Sequence, residues 1–522
     1  MRKLLIVIAL STCTVMSKAQ TKTITKTELT DKVKGAWAAK MIGVMYGREM
    51  EFKALAKTYD EPIPWYPELI EKALLEDDLY GQLSFMETIE KNNNNATIEQ
   101  LAYNFANASF ALCHANLQAR KNIFDGILPP HSGAPKYSMH ADDIDFQIES
   151  DFIGFIHPGL TQSAINMCDS VGRIMAYGDG LYGGMFVSAM HSIAYYENDS
   201  KKIVEQALKA IPSKSKYAKC IQDVVNSFKK NPNDWKITWQ LIQNKWADND
   251  ICIPFHDFNI DAKLNGAYIA IALLYGNNEL EKTMEIAVRC GQDTDCNSAN
   301  AAAVIGITKG LNQIPEKFKS HLSKFSDNNF LHTNYTYNKA VKQTLVLIEK
   351  NILENGGNIN DNIISFKIQS PKFKGKLEQS YANKVMSYQF QMKEPSKWKL
   401  QGNWEEFRYG DGDNDLYMVA TTPKDSLEIE FEGTGISLLG SWNTSGGKAD
   451  VYIDNKFMKT IDVYFREEAG KYDVNRAHIF HDMNLKNGKH KLKLIVSQEK
   501  NKESTGHNIW IERAVIYKQE KN

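Results

Sequence analysis

The chain has 522 residues, a length that fits two domains, or three, better than one. Hydrophobic residues make up 43% and charged residues 24%, a balance that excludes a mostly disordered or collagen-like protein. Its 62 Lys and Arg residues stand against 63 Asp and Glu, a net charge of -1, so no global basic field exists to hold nucleic acid or an anionic membrane.

The first segment reads as a secretory signal peptide over residues 1–19. Met1-Arg2-Lys3 is basic, Leu4 to Leu10 is apolar, and Ser17-Lys18-Ala19 offers the small residues a signal peptidase reads, leaving Gln20 at the mature terminus. The apolar run is far below the ~20 residues of a membrane span. Thr12 stands before Cys13 where Gly or Ala is preferred, which argues against lipid anchoring. The expectation is a secreted protein, periplasmic or extracellular. The six cysteines beyond Cys13 form no CxxC pair, and their spacing assigns no disulfide.

Residues 20–353 carry the helical period. Apolar residues recur at three and four spacings over Ile203 to Ile211, Ala267 to Tyr275 and Ala340 to Ile348, with asparagine-rich turns between segments. No strand–helix alternation appears, so an all-α domain is expected. Residues 354–369 are a polar break and read as a linker. From 370 to 522 the period becomes two, as in Leu427-Glu428-Ile429-Glu430-Phe431 and Lys491-Leu492-Lys493-Leu494. Glycine turns separate these strands, which predicts an antiparallel β-sandwich.

Three acidic clusters in the helical half stand out: Glu49-Met50-Glu51 after glycines at 35, 43 and 47, then Glu76-Asp77-Asp78, then Asp293-Thr294-Asp295. Adjacent carboxylates beside apolar residues repel unless something positive lies between them, and a hard divalent cation such as Mg²⁺ suits an all-oxygen donor set. Singly, each cluster reads as a helix cap or solvated pair, and the glycine spacing as close helix packing.

Their combination resembles the ADP-ribosylglycohydrolase family across nearly the whole helical half. The family's Gly-x3-Gly-x3-Gly-Asp-x2-Gly corresponds to Gly35-x3-Ala39-x3-Gly43-Val44-x2-Gly47. A family glutamate four residues later falls on Glu51. The family's Thr-Asp-Asp-Thr matches Glu76-Asp77-Asp78-Leu79. Its late Gly-Gly-Asp-x-Asp-Thr-Asn matches Cys290-Gly291-Gln292-Asp293-Thr294-Asp295-Cys296-Asn297, with the glycine one residue earlier. Gly306, Gly310 and Ile314-Pro315 fit the family ending. The resemblance implies one or two Mg²⁺ ions held by Glu76, Asp77, Asp78, Asp293, Asp295 and Cys296, with Glu51 as the catalytic carboxylate that assists cleavage at an anomeric carbon.

Departures from the family pattern point to a rebuilt pocket. Val44, Leu79 and Cys296 replace an aspartate and two hydroxyls, and the family's glycine-rich stretch ending in Met-Arg gives way to Glu149-Ser150-Asp151-Phe152-Ile153-Gly154. Glu149 and Asp151, with Asp179 and Tyr182 of the loop Tyr177-Gly178-Asp179-Gly180-Leu181-Tyr182, are the candidate substrate contacts. His157 reads as a satisfied buried histidine. The second half resembles galactose-binding-like or jelly-roll carbohydrate-binding modules in strand pattern, with Trp404, Trp442 and Tyr464 as aromatic candidates more simply read as core.

The expected function is therefore a secreted, metal-dependent glycohydrolase acting on a ribosyl-like sugar conjugate or a glycan, with no nucleic-acid partner. Two alternatives are a true hydrolase of ADP-ribose conjugates and a non-catalytic carbohydrate-binding protein. Oligomeric state does not follow from the sequence.

Overall fold

A computed structural model describes residues 20–247, 250–408, 416–466 and 473–520. Residues 1–19, expected as a signal segment, lie outside the described residues, and within them no helix is long and apolar enough to cross a membrane. The chain folds as an N-terminal all-α domain followed by antiparallel β-sheets.

The first helix, Lys26–Arg48, starts where Thr25 caps it, its side chain accepting from the Glu28 N–H at 3.0 Å. It lies almost wholly buried against a second central helix, Thr294–Lys309. The glycines of the sequence motif explain the contact. A Cβ on Gly43 would meet the Ala299 Cα at 2.7 Å, and Cβ atoms on Gly35 and Gly47 would run into the backbone of Gly306 and Thr294. The close-packing reading of that spacing therefore holds at the level of backbone on backbone.

Residues 354–369, expected as a linker, are built into the edge of the helical domain. Strand β1 (Thr21–Thr25) pairs antiparallel with β3 (Ile363–Lys367), which pairs with β2 (Asn358–Asn360). Ile364 and Phe366 alternate inward and are each 1% exposed within the helical core. Its first half, through Asn362, is polar and glycine-rich, whereas two inward side chains of the second half decide where it sits.

Beyond it come β4 (Lys384–Gln391), β5 (Trp398–Gln401), β6 (Trp404–Arg408), β7 (Leu416–Ala420), β8 (Ser426–Gly433), β9 (Gly435–Asn443), β10 (Lys448–Ile453), β11 (Lys456–Asp462), β12 (Asp473–Asp482), β13 (Gly488–Val496) and β14 (Ile509–Gln519). They form one sheet in the order β11-β10-β13-β8-β5 and another in the order β12-β9-β14-β7-β6, with β4 also on β14. Leu427, Ile429, Leu492 and Leu494 of the first meet Leu438, Ile509, Ile511 and Ile516 of the second in one core. Trp442 is 5% exposed and belongs to that core, with the Lys121 ammonium 5.9 Å from its ring, while Trp404 and Tyr464 are half-buried.

The two units meet along a third, small apolar cluster of Met139, Cys252, Tyr381, Leu439, Met483, Val515 and Tyr517. The Tyr381 hydroxyl donates to the Ser138 carbonyl, the Tyr517 hydroxyl to Ile251 at 3.1 Å, and His478 Nε2 to Cys252 at 2.8 Å. Arg466 stacks 3.8 Å above the Phe124 ring. The chain leading into the sandwich is pinned as well. Arg173 holds Glu378 through two bonds of 3.0 and 3.1 Å, the Tyr182 hydroxyl accepts from the Glu378 N–H at 2.8 Å, and Ser380 donates to Asp142 at 2.6 Å.

Candidate active site

The glycine seam brings the C-terminus of the first helix against the N-terminus of Thr294–Lys309, where the Thr294 hydroxyl donates to the Gly47 carbonyl at 2.8 Å. Two backbone bonds then lock the turn after the first helix to the turn before the late one: Phe52 N–H to Gln292 and Gln292 N–H to Ala54, each 3.0 Å. That turn needs Gly291 and Gln292 in the left-handed region, with φ of 82° and 57°. The helix Asp77–Lys91 begins beside them, so Asp77 and Asp78 share a first-turn position with Asp295 of the late helix.

At the centre of this crossing sits a lysine. Lys40 is fully buried, its ammonium 3.0 Å from Asp78 Oδ1 and 2.6 Å from Asp151 Oδ2, and it also donates to the Ile148 carbonyl at 3.2 Å. Burial alone lowers a lysine, but Asp151 and Asp78 outweigh it and raise Lys40 above its ordinary value, so it stays charged. Asn300 donates to Asp151 Oδ1 at 2.8 Å, and Cys296 Sγ lies 3.2 Å from Asp78 Oδ2. Burial pushes the Cys296 thiol well up, which keeps it protonated and makes it a donor to Asp78, the role a hydroxyl would have there.

Next to this compensated group lies a cavity of about 170 Å³ lined by Glu51, Asp77, Asn116, Asp145, Glu149, Asp293 and Asp295, with apolar walls that include Phe52, Phe110 and Ile260. Oxygens of Glu51, Asp293 and Asp295 lie within 4.8 Å of one another, as do the ligand atoms of Asp78, Asp295 and Cys296. Burial, then the neighbouring Asp295, raises Asp293 well above the carboxylate range, and burial with Asp78 raises Asp295 to about 7. Burial likewise lifts Asp145 to about 7 and Glu149 well upward. Asp293 Oδ1, Asp295 Oδ1, Asp145 Oδ2 and Glu149 Oε2 are buried without any hydrogen-bond partner. Arg48 is the cation here, bonded to Glu76 at 3.0 Å and to Glu51. Buried, partnerless carboxylate oxygens are costly, and an all-oxygen cradle of this kind fits a hard divalent cation.

Not all expected residues meet in this cavity. Glu51, Asp77, Glu149, Asp293, Asp295 and Cys296 line it; Asp78 lies behind it on Lys40, and Glu76 at its side on Arg48. Asp151 is wholly buried on Lys40. Asp179 opens on a separate cavity of about 280 Å³ beside Asp142, Asp261 and Lys263, and Tyr182 is buried, 1% exposed, where it pins the chain at Glu378. The stretch expected as a loop is the start of the helix Gly178–Ala194, capped by Tyr177, and it faces the domain junction rather than the carboxylate cavity. His157 is buried and bonded to the Ile153 carbonyl at 2.7 Å, a structural histidine.

Lys40, His114 and Asn116 carry no acidic or glycine signature, and sequence reasoning passes over them. Asn116 donates to Glu149 at 2.8 Å, and its N–H donates to Asp145 at 3.0 Å. His114 lines the cavity wall with φ of 47°, and desolvation holds its imidazole down to about 4 although part of the residue stays open.

The sequence profile described as ADP-ribosylglycohydrolase matches residues 25–347. Among curated proteins, an A type blood alpha-D-galactosamine galactosaminidase of Flavonifractor plautii is 29% identical over 98 residues, 18% of this chain and 8% of that protein. The match thus spans less than a tenth of that relative's length. Among solved structures, an ADP-ribosylglycohydrolase-related protein complex aligns 99% of its chain with 62% of this one, at 14% identity and a TM-score of 0.43. A carbohydrate-binding module in complex with calcium and xylotriose aligns 98% of its chain with 24% of this one, at 11% identity and a TM-score of 0.17.

Proposed function

Because the chain belongs to the ADP-ribosylglycohydrolase family, we propose that it is a secreted, divalent-metal-dependent hydrolase of a glycosidic bond in a sugar conjugate or glycan. The observation that carries this reading is the set of partnerless buried oxygens on Asp293 and Asp295, within 4.8 Å of Glu51. Asp293 and Asp295, with Asp77 beside them, are the residues that would hold Mg²⁺, while Asp78 stays on Lys40. When bound, the ion supplies Lewis-acid polarisation of sugar hydroxyls or water.

The chain's own groups do the rest. Glu51 serves as the acid or base at the glycosidic oxygen or the attacking water, and Arg48 orients its carboxylate. Glu149 Oε2 and Asn116 Oδ1, both unpartnered, are free to bond sugar hydroxyls and fix the ring. Phe52, Phe110 and Ile260 thin the water around the reacting bond. The basic and apolar pattern of residues 1–19 supports export, and the name of the galactosaminidase relative supports a glycan over an intracellular ADP-ribosyl conjugate. In this reading the helical domain carries the chemistry and the sandwich is an accessory unit that presents a glycan.

The test is turnover by the mature protein on aryl furanosides and pyranosides, oligosaccharides and ADP-ribosyl peptides, with Mg²⁺ and with EDTA. Turnover on a sugar substrate, lost in EDTA and restored by Mg²⁺, is expected. Mg²⁺ at a hundredfold excess over its Kd should also stabilise the protein by about 2.7 kcal/mol, and Asp293→Asn should abolish that gain. Turnover indifferent to EDTA would refute metal dependence, and turnover confined to ADP-ribosyl peptides would establish the conjugate hydrolase instead.

A further inference from the structure

We propose that His114, His140 and Asp143 form a second metal site, suited to a borderline divalent ion such as Zn²⁺ and opening on the wall of the carboxylate cavity. One nitrogen from each imidazole and one oxygen of Asp143 lie within 4.8 Å of one another. His114 begins the helix His114–Phe124, while His140 and Asp143 stand three residues apart in the loop that leads to Asp145–Glu149. Two imidazoles and a carboxylate are borderline donors, unlike the oxygen cradle of Asp293 and Asp295, and they suit Zn²⁺ better than Mg²⁺.

Three further observations point to a ligand. First, the four ring nitrogens are underused. His140 Nδ1 meets Asp143 Oδ2 at 2.7 Å, whereas the other His140 nitrogen and both of His114 bond no described residue and reach the solvent-open side, where a ligand could take them. Second, the charge around Asp143 is one-sided. Asp250, Asp145 and Asp261 surround it, Asp261 paired with Lys263 at 2.6 Å, and among the described residues Asp143 itself forms no ion pair with a lysine or arginine. Third, His114 holds its ring in place from a left-handed backbone, φ 47°, a conformation that costs a non-glycine residue on the order of 1 kcal/mol and is kept where geometry matters.

The surroundings resemble the outer support of a metal ligand. The Cys252 thiol lies 3.1 Å from Asp143 Oδ1 and 2.9 Å from Asp250 Oδ1, and the Cys252 carbonyl is in turn bonded by His478 of the sandwich at 2.8 Å. Three protein ligands leave a fourth position open. His114 lines the carboxylate cavity and Asp143 the separate cavity of about 280 Å³, so the site lies between the two. Both imidazoles are held neutral by burial, the form that offers a lone pair.

The experiment reads metal content and needs no substrate, so it stands apart from the glycohydrolase reading. The mature protein is stripped with chelator and titrated by calorimetry with Zn²⁺, then loaded with Co²⁺ for visible spectroscopy, alongside His114→Asn and His140→Gln. Asparagine tolerates the left-handed backbone, and His114 is not fully enclosed, so His114→Asn keeps the fold even if His140→Gln does not. The wild type is expected to bind one more equivalent of Zn²⁺ than His114→Asn, or to bind it at least about 100-fold more tightly. Its Co²⁺ bands should vanish in the variant, while the Mg²⁺ thermal shift stays unchanged. Equal Zn²⁺ stoichiometry and affinity in wild type and His114→Asn would show a plain histidine pair, and loss of that Zn²⁺ in Asp293→Asn instead would place it in the oxygen cradle; either outcome overturns the proposal.

Discussion

Two groups of buried carboxylates lie side by side at the crossing of the central helices, and they meet the cost of burial in opposite ways. Asp78 and Asp151 share an internal cation, Lys40, and their remaining oxygens are taken by Cys296 and Asn300. Asp293 and Asp295 have no such cation and keep partnerless oxygens turned to a cavity. The first arrangement closes its electrostatics within the protein. The second leaves them open, which is what a site must do if something arriving from outside is to complete it.

Removing the internal cation is the strongest way to break this contrast. Lys40→Met strands two fully buried carboxylates, and the expected loss is about 3–5 kcal/mol in urea unfolding. A variant as stable as the wild type would erase the distinction between the two groups. Glu51→Gln sharpens it from the other side: the fold and the Mg²⁺ thermal shift should persist while turnover falls by ~10²-fold or more. Unchanged turnover on a confirmed substrate removes Glu51 from the chemistry.

The smallest effect concerns pH. Asp145 titrates near 3.9 in an unfolded chain but about 7 when buried here, so the folded protein keeps that proton longer. Its contribution to stability is full below about pH 4 and is lost as pH rises toward 7. With metal chelated, Asp145→Asn should flatten the fall of the thermal midpoint over that range. An unaltered slope would show that Asp145 does not carry the linkage.

Much of this was legible in the residues. The change of hydrophobic period from 3.6 to two marks the passage from helices to sheets, and Asp293-Thr294-Asp295 and Glu76-Asp77-Asp78 announce themselves as charge in apolar surroundings. Lys40 did not, because one lysine between Ala39 and Met41 reads as a solvent-facing position, and only three-dimensional neighbours 38 and 111 residues away reveal its partners. Phe366 shows a related difficulty in a strand: the polar, glycine-rich run just before it reads as a linker and hides a side chain whose pocket is built by distant helices. His114 is silent for a third reason, since a histidine's meaning lies in the direction of its ring. Tyr182 was singled out from loop composition and proves to hold the backbone of the interdomain segment.

That segment has a mechanical consequence. Glu378 is clamped by Arg173 and Tyr182, and Ser380 and Tyr381 by Asp142 and Ser138, so strand β4 leaves the helical wall only three residues after the last anchor. Four points of attachment on so short a span leave no slack for the sandwich to swing. The sandwich thus keeps one bearing relative to the carboxylate cavity, as a workpiece stays square in a vice.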